Sequence, residues 1–384
     1  LREEDLSTLA STETTTFAHT GARLRRWGAL LGVLLVVILI LGSSWDGDWH
    51  GRVGRDSFWI PPHLMMYSSI TLFGLVALGI TVWTTLNEPR DASGMLRLFG
   101  LQAPLGVALM GIGVVVALLA APFDDLWHRT FGIDVSVWSP PHFTGWAGFI
   151  VSLIGVQIAI VQEWPGLARG WQGVPLLGQV AFMLAAGGVL RHTTVATLPG
   201  ASYSFWQSDT QLNEVHIIHP FLFALAASLF MVPAITAIRR VAGRRGLVMA
   251  VAGLLTLAAL CIVFVEILTP ILRESLGHAW RTTADDTSTR DLFLFPALFT
   301  VLPALSALLS RPEHGARIGA AAGLLYWFQL AIYLASIEML EVGPAAGGLA
   351  LCVGIGAVMG WAGSRTGGAI KRISEAASSA APAH

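Results

Sequence analysis

The residues best suited to chemistry fall in two short stretches: Asp46, His50 and His63 in the first, Asp124, His128 and His142 in the second. The first reads Asp46-Gly-Asp-Trp49-His50, then Gly54 and Asp56, then Trp59-Ile-Pro61-Pro62-His63. The second reads Asp124-Asp-Leu-Trp127-His128, then Gly132 and Asp134, then Trp138-Ser-Pro140-Pro141-His142, with one residue inserted late. Two matches to D-x2-W-H-x3-G-x-D followed by Trp and P-P-H point to an internal duplication of a helical hairpin. An acid and a His four residues apart lie on one face of a helix end. The Pro pair starts the next helix, because proline is tolerated in a first turn, and sets its His at the top of that helix facing back across the hairpin. Two imidazoles and one carboxylate are then expected to converge. That is the ligand set of a 2-His-1-carboxylate centre, suited to Cu, Fe or Zn, and ligand type alone does not choose among them.

The competing interpretation is that Trp, His and Asp simply anchor helix ends in the headgroup zone. A single instance would favour it; the duplicated triad favours metal, because ionisable groups at membrane depth are costly. Trp49, Trp59, Trp127 and Trp138 are expected to be interface anchors and walls of the site. Asp56 and Asp134 suit an acceptor role for a ligating imidazole, helix entry, or pairing with an arginine such as Arg55 or Arg129. Asp48 and Asp125 read as solvated neighbours.

At these residues the sequence resembles the C subunit of the copper membrane monooxygenases, the particulate methane and ammonia monooxygenase family. Asp46, His50 and His63 reproduce that subunit's D-x3-H-x12-H spacing, with Trp49, Arg55, Asp56, Pro61 and Tyr67 agreeing around it. Asp124, His128 and His142 match the spacing of the family's second ligand group, with Asp where the family has Asn. The resemblance covers residues 45–70 and 122–146, and this chain is longer than such a subunit. It implies copper, an oxygenase-type site and partner subunits.

The elements that must hold these residues are membrane helices. Hydrophobic residues are 54% of 384 and charged residues 12%, with a mean hydropathy of +0.66, well above that of soluble domains. Crossing about 30 Å of hydrocarbon takes about 20 mostly apolar residues. Ten stretches qualify: 27–45, 63–86, 101–121, 142–163, 174–191, 216–238, 246–269, 292–310, 316–340 and 343–363. The expected fold class is therefore all-α, a polytopic bundle of about ten transmembrane helices. The first stretch follows Arg23, Arg25 and Arg26 and lacks a clear small-residue cleavage site, so it is retained as a span.

Arginines orient the bundle. Arg90, Arg97, Arg169, Arg239, Arg240, Arg244, Arg245, Arg311 and Arg317 fall in alternate connections with Arg365, Lys371 and Arg372 in the tail, which puts both termini in the cytoplasm and the His/Asp hairpins on the periplasmic or extracellular face of a cell (inner) membrane. The expected organisation is a cytoplasmic tail at 1–22, duplicated hairpins at 23–163, further spans at 164–364 and a second tail at 365–384. Residues 1–20 and 373–384, polar or rich in Ala and Ser, read as poorly ordered.

Two later outer connections hold degenerate candidates. His192, His216 and His219 surround Asp209, Asn213 and Glu214; Glu274 and His278 repeat the acid-x3-His spacing, with Asp291 where the second His would fall. These are decayed copies, a second site, or helix-top histidines bonded to carbonyls. Glu266 near the outer end of its span would pair with an Arg, take up protons or ligate metal; Glu338 and Glu341 read as solvated.

The rest of the chain excludes more than it suggests. A net charge of −1 gives no sign of a nucleic-acid partner. Cys261 and Cys352, inside apolar runs, fit neither a disulfide framework nor a thiolate metal site. No Walker, Rossmann, HExxH or nucleophile-elbow pattern occurs, and an acid one turn from each His has no use in haem ligation. Gly187-Gly188 and Gly347-Gly348 read as helix-packing features. Three functions compete: a copper-dependent monooxygenase or a subunit of one, a metal-handling or transport protein, and a metal-free scaffold subunit. Spans nearly free of charge weaken transport. Expected partners are membrane lipid, other membrane subunits and a periplasmic or extracellular domain or protein.

Overall fold

The computed structural model describes residues 3–53, 59–90, 95–131, 140–163, 219–277, 288–336 and 342–380; within them, side chains at 3–19, 47–48, 50–52, 128, 161, 219–223, 288–296, 342–344 and 373–380 are not described. The described elements are α1 (Glu3–Arg52), α2 (Pro61–Asn87), β1 (Met95–Leu98), β2 (Leu101–Pro104), α3 (Leu105–Phe131), α4 (Pro140–Glu163), α5 (His219–Val241), α6 (Gly243–Ser275), α7 (Ser288–Leu309), α8 (Gly315–Ser336) and α9 (Val342–Ala380). Eight of these nine helices are long and apolar enough to cross a membrane, α7 contributing a shorter apolar run, Ala297–Leu309. The chain is thus an all-α polytopic bundle. The expected span at 174–191 lies outside the described residues. Residues 3–20 and 373–380, expected to be poorly ordered, are helical: α1 starts at Glu3 and α9 continues to Ala380, through residues that include the good helix formers Glu, Leu and Ala.

By its contacts the chain forms two compact units. In the first, α1 up to Leu39 packs on α2 from Tyr67, and α3 packs on α4. Pro140-Pro141 opens α4 as expected, with Pro lacking only an N–H that a first turn leaves unsatisfied anyway. The α3–α4 crossing is held by glycine. A Cβ on Gly113 would lie 2.3 Å from Ser152 Oγ and 2.5 Å from the Gly148 carbonyl, and one on Gly106 would lie 2.4 Å from the Ala159 nitrogen. In hydrocarbon, where burial against lipid gives little drive, such close backbone approach is what holds helices together.

The third span begins later than the sequence suggested. Residues 101–104 form a strand, paired antiparallel with 95–98 around Phe99-Gly100, so that Arg97 faces Gln102. Both turn residues have positive φ, 53° at Phe99 and 81° at Gly100, the requirement of a two-residue type I′ turn. Pro104, at the end of β2, precedes the first turn of α3. Gln102 fixes the hairpin to the end of α2: its side-chain NH2 donates to the carbonyls of Thr84 and Glu88 at 3.1 and 2.8 Å, and its backbone N–H donates to Thr85 Oγ1 at 2.9 Å.

The second unit holds the end of α1 from Ile40, the start of α2 to Met66, and α5 to α9. Gly315, Gly319 and Gly323 on α8 meet Gly360, Gly356 and Cys352 on α9, an antiparallel small-residue seam; a Cβ on Gly319 would come within 1.9 Å of the Gly356 carbonyl. Gly347, by contrast, has nothing within 4 Å of its Cβ position, so the packing role expected of it belongs to Gly356 and Gly360. α5 runs parallel to α9, Pro233 and Ala237 lying against Gly363 and Gly367. Buried Arg239 closes the end of α7, donating to the carbonyls of Ala307 and Ser310 at 3.0 and 3.1 Å, where a cation complements the helix dipole.

Candidate metal centres

Each hairpin brings together an acid in the last two turns of one helix and the His that starts the next. In the second unit, α1 delivers Asp46 nearly two turns before its end and Pro61-Pro62 sets His63 in the first turn of α2. His63 Nε2 lies 3.0 Å from Asp46 Oδ1, with the imidazole 11% and the carboxylate 24% exposed. Ile60 supports that turn, its carbonyl accepting from Leu64 N–H at 3.1 Å. In the first unit the equivalent atoms, His142 Nε2 and Asp124 Oδ1, are 3.9 Å apart, with the imidazole 33% and the carboxylate 10% exposed.

Two donor atoms on one metal with bonds of about 2.0–2.2 Å are at most about 4.4 Å apart, and both pairs meet that bound. The remaining expected ligands, the side chains of His50 and His128, lie outside the described residues. Among the described residues no group of three His, Cys, Asp or Glu side chains comes together. Of the later candidates, His192, His216 and His278 lie outside the described residues, as do the side chains of His219 and Asp291; Glu274 is exposed on the last turn of α6. Asp56, Asp134, Trp138, Glu338 and Glu341 lie outside them as well, as does the side chain of Asp48. Glu266 and Arg273, two turns apart on α6, are both half-buried and neither lacks a partner.

The tryptophans divide. Trp59 is 72% exposed. Trp49 is 0% exposed, which removes it from the anchor role; it packs edge-on against Trp45 at 6.0 Å, and Trp45 against Phe264 of α6 at 5.8 Å. Trp127 is half-buried between Phe123 and Phe131, 6.2 and 4.4 Å away. Asp125 is exposed, as a solvated neighbour should be; it pairs with Arg129 at 2.7 Å one turn away, and so exposed a pair adds little stability.

A charged cluster at the opposite end of the first unit escaped sequence reasoning. Arg25 of α1 donates to Glu163 Oε1 of α4 at 2.7 Å and to Glu88, just past α2; Arg26 lies 3.9 Å from Glu163 Oε2. Burial pushes the Glu163 carboxyl above the usual carboxylate range, the two arginines opposing that shift. The sequence signal lies in two acids at the ends of spans, Glu88 and Glu163, and in two arginines preceding another span, Arg25 and Arg26. Compared with known protein families, curated proteins and solved structures, the chain matches none.

Proposed function

We propose that the chain is an integral-membrane metal-binding protein, a copper-dependent monooxygenase or a subunit of one, with one centre at the end of each hairpin. The observation that supports it best is the repeated convergence of Asp46 with His63 and of Asp124 with His142. The same acid and the same P-P-H imidazole meet in both hairpins, which suits a repeated ligand set completed by His50 and His128. Each Asp would supply an anionic oxygen and each neutral imidazole a nitrogen, and a carboxylate beside a ring also fixes its orientation. Copper, the metal implied by the resemblance to the monooxygenase C subunit, would supply oxygen binding and one-electron chemistry. The ends rich in arginine would face the cytoplasm and the two centres the periplasm or exterior.

Metal analysis and EPR of the protein purified from membranes test this. Copper at up to two per chain, in a nitrogen and oxygen environment, is expected. Iron in its place would redirect the assignment to a non-haem oxygenase and zinc to a redox-inactive centre, while folded protein that takes up none of the three would leave the Asp–His pairs as helix clamps in a scaffold subunit.

A further inference from the structure

We infer that the β1–β2 hairpin is a membrane-surface anchor, its Leu98-Phe99 tip seated at the boundary between headgroups and acyl chains on the arginine-rich side of the first unit. The tip is apolar and uncovered: Phe99 is 95% exposed and Leu98 50%. Phe99 also occupies a position that chain geometry would give to Asn, Asp or Gly, since its φ is +53°. A large aromatic in left-handed backbone at the extremity of a turn is unfavourable twice over in water, and both penalties are offset if the ring enters an apolar phase.

The depth of the hairpin identifies that phase. Gln102 ties it to Thr84, Thr85 and Glu88, directly after Trp83, whose ring lies against the Gly21 position near the start of the first span. Tryptophan at a span end marks the headgroup level, and Trp27, 56% exposed on α1, stands at the same end. Strands of four residues reach about 13 Å. In the inferred anchor the hairpin lies along the surface from a root at the headgroup level, which keeps Phe99 at the acyl boundary. Leu86, 77% exposed at the end of α2, and Leu101, 44% exposed in β2, extend the apolar surface around its base. Arg90 and Arg97, both exposed, supply cations for lipid phosphates at that level.

The test uses the full chain reconstituted in vesicles of phosphatidylcholine and phosphatidylglycerol in equal parts. Phe99→Cys, and separately Leu98→Cys, are labelled with an environment-sensitive fluorophore, the parent chain with its buried Cys261 and Cys352 giving the background. Blue-shifted emission, quenched by lipids carrying a nitroxide on the acyl chain and unaffected by aqueous iodide, is expected at both positions. Quenching by iodide alone would put the tip in water, and quenching by neither would put it under protein, a second copy or another subunit; either result overturns the anchor. Phe99→Asn keeps a residue suited to positive φ, so the turn should persist while lipid quenching of the Leu98→Cys label is lost. Retained lipid quenching in that double variant would also overturn it.

Discussion

The two hairpins that carry the same motif are built differently. At the α1–α2 hairpin the acid and imidazole close to 3.0 Å and the imidazole is nearly covered; at α3–α4 they stand 3.9 Å apart and a third of the imidazole is exposed. The α3–α4 pair has backbones in contact through Gly106, Gly113, Gly148 and Gly155, whereas Gly32 of α1 receives the side chains of Phe73, Met110 and Val156, and Gly42 those of Met65 and Met66, with the Met66 backbone nitrogen no nearer than 3.3 Å. Asp46 and His63 are separated by one residue fewer than Asp124 and His142, and α3 carries Pro122 two residues before its acid, which removes a helix hydrogen bond there. A motif fixes which groups meet; inter-helix packing and connection length fix how closely.

The most damaging change should fall on the glycine-packed hairpin. Gly113→Ala places a Cβ within 2.5 Å of both the Ser152 nitrogen and the Gly148 carbonyl, and backbone cannot yield as a side-chain tip does. Overpacking costs about 1–3 kcal/mol where side chains adjust, and more is expected here. Gly32→Ala meets only side-chain atoms, the nearest 3.2 Å away, and should cost less than about 1 kcal/mol. Thermal unfolding in detergent compares the two; equal losses would mean that the hairpins do not differ in packing as described.

Removing the imidazoles should separate the centres with little loss of fold. His63→Ala and His142→Ala are each expected to lower bound metal by one equivalent, with folded protein recovered. The more covered and closer pair should hold metal more tightly, so in a chelator titration His142→Ala protein, which retains the first centre, should release its metal at higher chelator than His63→Ala protein. Neutral imidazole is the ligating form, so acidification should empty both centres. Loss of all metal from either single variant would show one shared centre and end the comparison.

How much of this was legible beforehand follows from what each signal depends on. Length and hydropathy revealed the spans because crossing a bilayer leaves few alternatives, and the Pro pairs at 61–62 and 140–141 announced where the returning helices begin. The approach of His63 to Asp46 and of His142 to Asp124 was readable from helix periodicity together with those prolines. The strand at 101–104 was not, because Leu-Gln-Ala-Pro followed by an apolar run reads as continuous helix; the turn depends on Phe99 adopting left-handed backbone, against its preference. Nor were the seam glycines separable from Gly347: a glycine looks the same in sequence whether a carbonyl or nothing at all stands against it. The Arg25, Glu88 and Glu163 cluster joins residues far apart in the chain, and only tertiary contact reveals it.

The smallest effect expected is at the motif tryptophans, where the hairpins differ by burial alone. Trp49 is fully covered and contacts Trp45 edge-on; phenylalanine there would lose the second ring and leave a space the surrounding helices fill only in part. At about 0.8 kcal/mol per buried methylene equivalent, with a cavity contribution added, Trp49→Phe should destabilise by about 1–2 kcal/mol. Trp127, half-buried, keeps its ring contact with Phe131 on one side, and Trp127→Phe should stay within about 0.5 kcal/mol, the usual range for positions outside the core. Neither residue supplies a ligand atom, so metal content should be unchanged in both. The decisive result is the difference between the two unfolding shifts: if Trp127→Phe costs as much as Trp49→Phe, the second hairpin is as tightly closed around its tryptophan as the first, and the looser Asp124–His142 pair must then arise from the added connecting residue or from Pro122.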